Sequence, residues 1–78
     1  MKKVHIFEVS YPTWFGKPKY EYKGDKLMSV VPNEGDRIIG ESGTMYRVLQ
    51  RTFVMTKNFE ENENDYIKLY IGKCTNLV

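Results

Sequence analysis

Aromatic and lysine side chains alternate between Tyr11 and Lys26, so this segment is well equipped to contact another molecule. Aromatic rings can stack on unpaired bases or anchor a protein interface, and lysines can neutralise phosphates. The candidate binding residues here are Trp14, Phe15, Lys17, Lys19, Tyr20, Tyr22 and Lys23. Three interpretations stay open: Trp14 or Phe15 caps an open end of the fold, the segment contacts a protein, or it binds single-stranded nucleic acid.

A second candidate patch lies near the end of the chain. Residues 65–73 alternate between apolar and more polar side chains, which is typical of a strand with one buried face. The pattern points Ile67, Leu69 and Ile71 inward. The remaining candidate binding residues, Tyr66, Lys68 and Tyr70, are predicted to point outward.

Catalytic and metal-binding motifs are not evident in the sequence. Its one histidine, His5, and its one cysteine, Cys74, lie near opposite ends of the chain and do not supply the clustered ligands of a zinc site. The acidic run from Glu60 to Asp65 lacks the glycine and glutamate spacing of a calcium-binding EF-hand loop. We therefore expect no enzymatic activity, metal, cofactor or small-molecule substrate.

Length and composition favour one small folded domain. The chain has 78 residues, 41% hydrophobic and 28% charged, with a formal net charge of +2. A domain of this size buries only about 60% of the surface that its unfolded chain exposes. We predict a single domain over residues 1–78, with a loose tail over 75–78.

The sequence also suggests a compartment. Cys74 has no second cysteine with which to form an internal disulfide, which favours a reducing cytoplasm. No apolar run approaches the roughly 20 residues of a membrane-spanning helix, so no membrane association is expected.

Strand-forming residues recur along the chain and are separated by short turns. We predict strands over residues 3–11, 19–23, 27–31, 37–40, 44–56 and 65–73, with turns at Gly24-Asp25 and from Pro32 to Asp36. The segment 44–56 is long for one strand, so a bend or a bulge is expected there.

This pattern predicts an all-β fold. Five or six short strands favour an antiparallel meander that closes into an SH3-like barrel, because closure removes exposed sheet edges. An OB-type barrel is the alternative. It is less favoured because that fold usually contains a helix, and the sequence shows no helical periodicity.

A short motif resembles a group of known proteins. The residues Pro32-x-x-Gly35-Asp36-x-Ile38, followed by Tyr46-x-Val48, resemble small uncharacterised proteins of bacteriophages and mobile elements that look like SH3-type barrels. The resemblance implies a cytoplasmic accessory protein in a host cell. It carries over no catalytic or binding residue.

These observations predict a protein that acts by binding. The leading hypothesis is a phage or mobile-element accessory or inhibitor-like protein that engages a host protein or another copy of itself. The alternatives are a module that binds single-stranded nucleic acid through residues 11–26, and a structural subunit of a larger particle.

Overall fold

Five β-strands form the regular structure. The computed structural model describes residues 1–10, 16–40, 42–57, 59–60 and 62–74, and these residues contain no helix. The strands are β1 (Lys2–Ser10), β2 (Lys19–Met28), β3 (Arg37–Ile39), β4 (Met45–Val54) and β5 (Tyr66–Lys73). The all-β prediction is confirmed. In this part of the chain there is no helix long and apolar enough to cross a membrane.

The strands form one sheet in the order β2-β1-β5-β4-β3. Strand β1 runs parallel to β5, and the other neighbouring strands are antiparallel. Consecutive strands β2 and β3 therefore lie at opposite edges, which corrects the predicted simple meander. The described sheet is not closed into a barrel, so the predicted SH3-like closure is not confirmed.

The core lies on one face of the sheet, which we call the core face. Its buried side chains come from the three central strands and are Val4, Val48, Ile67, Leu69 and Ile71. The predicted inward direction of the β5 residues is thus confirmed. Partly buried side chains surround this cluster: Ile6, Met28, Val31, Ile38 and Tyr46.

Residues 29–36 connect the two edges of the sheet by crossing the core face. Val31 packs against the core, and its carbonyl oxygen accepts a hydrogen bond from Arg51 Nη1 at 3.4 Å. Further along, the Gly35 amide donates to the carbonyl of Val48 at 2.8 Å. This crossing segment covers part of the apolar surface that an open sheet would otherwise expose.

The predicted turn from Pro32 to Asp36 is confirmed. The Asp36 amide donates to the Asn33 carbonyl at 3.0 Å, and the Asn33 amide donates to Asp36 Oδ2 at 2.8 Å. Gly35 has a φ of 90°, a backbone conformation that residues with a Cβ atom rarely adopt. The turn directs the chain into β3.

The predicted turn at Gly24-Asp25 is wrong, because residues 19–28 form one continuous strand. The pairing of β1 with β2 shifts by one residue beside Ile6 and Phe7, and Gly24 has a φ of 134°. The glycine therefore serves a β-bulge instead of a chain reversal. The irregularity expected in the long fourth strand is also present, between Val48 and Gln50.

Asp65 closes the connection between β4 and β5. Its Oδ1 accepts hydrogen bonds from the amide of Thr56 at 2.9 Å and from the hydroxyl of Thr56 at 3.0 Å, and its Oδ2 accepts one from the Asn62 amide at 3.1 Å. The bond from the Thr56 amide, helped by the other two, lowers the pKa of Asp65 below its ordinary value. The carboxylate thereby fixes the start of β5.

Replacing Leu69, the largest fully buried side chain, tests the core assignment. Leu69→Ala is expected to lower the free energy of unfolding by about 2–5 kcal/mol, because it removes buried methyl groups and leaves a cavity. Urea denaturation measures the change. Leu27→Ala is the matched control, since Leu27 is 60% exposed, and it should cost less than about 1 kcal/mol. Equal losses for the two variants would contradict this core.

Asp65→Asn tests the role of the loop carboxylate through pH. Since the folded-state pKa of Asp65 is lowered, its contribution to stability is complete above the unfolded-state value of about 3.9 and is lost as pH falls through the folded-state pKa. The variant should therefore show a shallower loss of stability in acid, measured as urea midpoints against pH. Glu63→Gln should keep the wild-type slope, and parallel curves for wild type and Asp65→Asn would refute the proposed role.

Candidate functional site

The sheet face opposite the core carries a group of aromatic rings from three adjacent strands. Along each strand these residues alternate with residues of the core face, and the register places Phe7 beside both Tyr22 and Tyr70. The group, which we call the aromatic face, consists of His5, Phe7, Tyr20, Tyr22, Tyr66 and Tyr70.

The rings of the aromatic face contact one another as a connected layer. His5 stacks on Tyr66 with ring centroids 4.2 Å apart, and Phe7 stacks on Tyr70 at 5.5 Å. Tyr22 is tilted against Phe7 at 5.5 Å and against His5 at 6.4 Å. The ring of Tyr20 meets Tyr70 edge-on at 5.7 Å. These separations are typical of packed aromatic pairs, so each ring limits the side-chain rotation of its neighbours.

The aromatic face is accessible at its β2 side. Tyr20 is 59% exposed and Tyr22 is 54% exposed, while the other four rings are partly buried. The crossing segment, in contrast, lies over the core face. The two tyrosines are therefore the rings that a partner can reach most easily.

Asp25 holds one edge of this layer. Its Oδ1 accepts a hydrogen bond from the hydroxyl of Tyr22 and lies 3.6 Å from His5 Nδ1. The hydrogen bond to Asp25 raises the pKa of Tyr22 above its ordinary value, because it stabilises the protonated phenol. The carboxylate thus fixes the orientation of the exposed ring.

The structure unites two patches that the sequence suggested separately. Tyr20 and Tyr22 come from the first candidate segment and Tyr66 and Tyr70 from the second, and β1 joins them. Lys68 lies on the same face, because it pairs with His5 on β1.

The lysines of the first candidate segment do not join the rings. Lys23 Nζ lies 3.8 Å from Glu8 Oε1 and 3.7 Å from Glu21 Oε2, on the core side of the sheet. Lys19 also alternates away from Tyr20, and Lys17 is exposed before β2 begins. Trp14 and Phe15 lie outside the described residues, so the hypothesis that they cap the fold stays a prediction.

Sequence reasoning missed the two residues that connect the patches, His5 and Phe7. Both lie on β1, which the sequence predicted as a strand without a binding role. A useful signal was present in the chain: rings are two residues apart in β1 (His5 and Phe7) and β2 (Tyr20 and Tyr22), and four residues apart in β5 (Tyr66 and Tyr70). Three such strands placed side by side form a continuous ring surface.

A cleft of about 430 Å³ opens at the end of the sheet, lined in part by Met1, Leu27, Phe53 and Tyr66. Its Asp65 carboxylate already accepts three hydrogen bonds within the β4–β5 connection. Within residues 1–10, 16–40, 42–57, 59–60 and 62–74, no three His, Cys, Asp or Glu side chains are grouped to hold a metal ion. The aromatic face is therefore the stronger candidate site.

No protein-family model, curated protein or solved structure matches the chain. The geometry and chemistry of the aromatic face are therefore the basis for proposing a function.

Asp25→Asn tests how this edge of the aromatic face is held. Because the folded-state pKa of Tyr22 is raised, the stabilisation is complete below the unfolded tyrosine pKa of about 10 and is lost as pH rises through the folded-state value. The variant should lower the pKa of Tyr22, as measured by NMR titration of its ring protons. Glu21→Gln removes a carboxylate from the opposite side of β2 and should leave that pKa as in the wild type. An unchanged Tyr22 pKa in Asp25→Asn would contradict the assignment.

Proposed function

We propose that this chain is a non-enzymatic binding protein whose aromatic face contacts the surface of a partner protein. The observation that carries the proposal is the connected layer of six rings on one side of the sheet, with two tyrosines more than half exposed. Tyrosine and phenylalanine are enriched in protein interfaces, where a few such anchors supply most of the binding energy.

Aliphatic side chains extend this surface. Leu27, Leu49 and Ile39 lie on the same side of the sheet as the rings and are 60%, 45% and 66% exposed. Exposed apolar side chains grouped on one side of a sheet typically mark a site of association. The rings are already packed against one another on a sheet, so binding would restrict few additional side-chain rotations.

The ring geometry favours a protein partner over single-stranded nucleic acid. A base stacks on the open face of an aromatic ring. In the His5–Tyr66 and Phe7–Tyr70 pairs, one face of each ring is covered by the neighbouring ring. These four rings therefore have fewer open faces for bases, while ring edges and tyrosine hydroxyl groups suit the mixed apolar and polar chemistry of a protein surface.

We infer that the protein acts by occluding its partner's surface, as an accessory or inhibitor-like protein of a phage or mobile element in the host cytoplasm. The resemblance of the Pro32–Ile38 and Tyr46–Val48 residues to such proteins supports this setting, and so does the free thiol of Cys74. Closure into an SH3-like barrel is not required, because one face of an open sheet supplies the contact surface.

The double variant Tyr20→Ser/Tyr22→Ser tests the proposal. Immobilised protein is incubated with a nuclease-treated bacterial lysate, and the retained proteins are quantified by mass spectrometry. If each ring contributes about 1 kcal/mol, the affinity for a specifically bound protein should fall roughly 30-fold. Circular dichroism and urea denaturation establish that the variant is folded.

Phe53→Ser is the matched control, because Phe53 is also aromatic and 55% exposed but lies on the core side of the sheet. It should retain the same proteins as the wild type. Equal retention by all three proteins would argue against the aromatic face. Binding that disappears on nuclease treatment would instead favour the nucleic-acid alternative.

A further inference from the structure

Two arginines face each other at the β3 edge of the sheet. Arg37 on β3 is directly opposite Arg47 on β4. Backbone hydrogen bonds join Val48 to Asp36 and Gly40 to Thr44, each at 2.9 Å, so the alternation of an antiparallel ladder makes Arg37/Arg47 a non-hydrogen-bonded pair. Side chains approach most closely in such pairs, and like charges placed there destabilise the sheet.

The charges of this arginine pair are not neutralised within the described part of the chain. Both side chains are exposed, and no described carboxylate lies within 4 Å of either guanidinium group. The adjacent Asp36 carboxylate accepts the Asn33 amide in the preceding turn. The described residues therefore leave two positive charges opposite each other at this edge.

The arginine pair lies on the same side of the sheet as the aromatic face. Its neighbours along the strands, Ile38 and Tyr46, pack against the core, so Arg37 and Arg47 alternate to the opposite side. On β5, Arg47 pairs with Gly72, two residues after Tyr70. The guanidinium groups thus extend the row of aromatic and aliphatic side chains towards β3.

The charged strand residues on this side of the sheet are mostly cations. Lys3 and Lys68 alternate with Val4, Ile67 and Leu69 and so join the two arginines on this side. The one carboxylate among the strand residues of this side is Asp25, and it is already engaged by Tyr22 and His5. Two copies meeting through this surface would oppose cations to cations, which disfavours self-association.

We propose that the aromatic face binds an acidic segment of its partner protein, and that Arg37 and Arg47 together form its carboxylate-binding site. The proposal rests on the protein-binding function inferred above. A carboxylate between the two guanidinium groups would accept charge-assisted hydrogen bonds from both and would remove their mutual repulsion. The rings and the aliphatic side chains would bury apolar residues that accompany the acidic groups.

The test measures binding of a glutamate–tyrosine copolymer and of an oligothymidylate, at low salt, to folded wild type and variants. Arg37→Gln/Arg47→Gln should weaken copolymer binding about ten-fold, because it removes the carboxylate-binding site. The matched control, Lys19→Gln/Lys26→Gln, removes the same two positive charges from the opposite side of the edge strand β2 and should bind within two-fold of wild type. Without ligand, the arginine variant should be at least as stable as wild type.

Three results would overturn the inference. Equal weakening by the arginine and lysine variants would show that only net charge matters. Tighter binding of the oligothymidylate than of the copolymer would identify a nucleic-acid surface. If copolymer binding is lost in Tyr20→Ser/Tyr22→Ser but kept in Arg37→Gln/Arg47→Gln, the arginine pair is not the carboxylate-binding site. The proposed protein-binding function of the aromatic face would then still stand.

Discussion

The parallel pairing of β1 with β5 determines both sides of this sheet. The register that puts Val4 beside Ile67 in the core also puts Phe7 beside Tyr70 on the aromatic face. Because side chains alternate with a period of two, a shift of either strand by one residue would exchange apolar core residues for rings and lysine. The packing of Val4 in the core and the stacking of Phe7 on Tyr70 therefore depend on the same set of backbone hydrogen bonds.

Local chemistry made part of this fold predictable. The alternation in β5, the Asn33 to Asp36 turn and the irregularity in β4 each depend on residues close together in sequence, and each is present in the structure. The pairing of β1 with β5 joins distant segments, and nothing local specifies it. Gly24 shows a second limit: a glycine with positive φ serves a turn or a bulge equally well, and only the neighbouring strand decides between them.

The candidate site was predictable only as fragments for the same reason. Tyr66 and Tyr70 were recognisable as outward residues and Tyr20 and Tyr22 as candidate binding residues, but the assembly of these four rings depends on β1 lying between β2 and β5. The lysines that alternate with the tyrosines along β2 suggested a mixed surface. In a strand, adjacent residues point to opposite sides, so Lys23 instead pairs with Glu8 and Glu21 away from the rings.

The position of β5 in the middle of the sheet has a consequence for synthesis. It is the last of the five strands to leave the ribosome, yet it separates β1 from β4 and contributes three of the five buried core side chains among the described residues. Before β5 is synthesised, only β1 with β2 and β3 with β4 can pair, and each pair exposes apolar side chains. Pairing β5 with β1 joins segments far apart in sequence, and such long-range contacts slow folding. The core is therefore complete only after β5 has joined both β1 and β4.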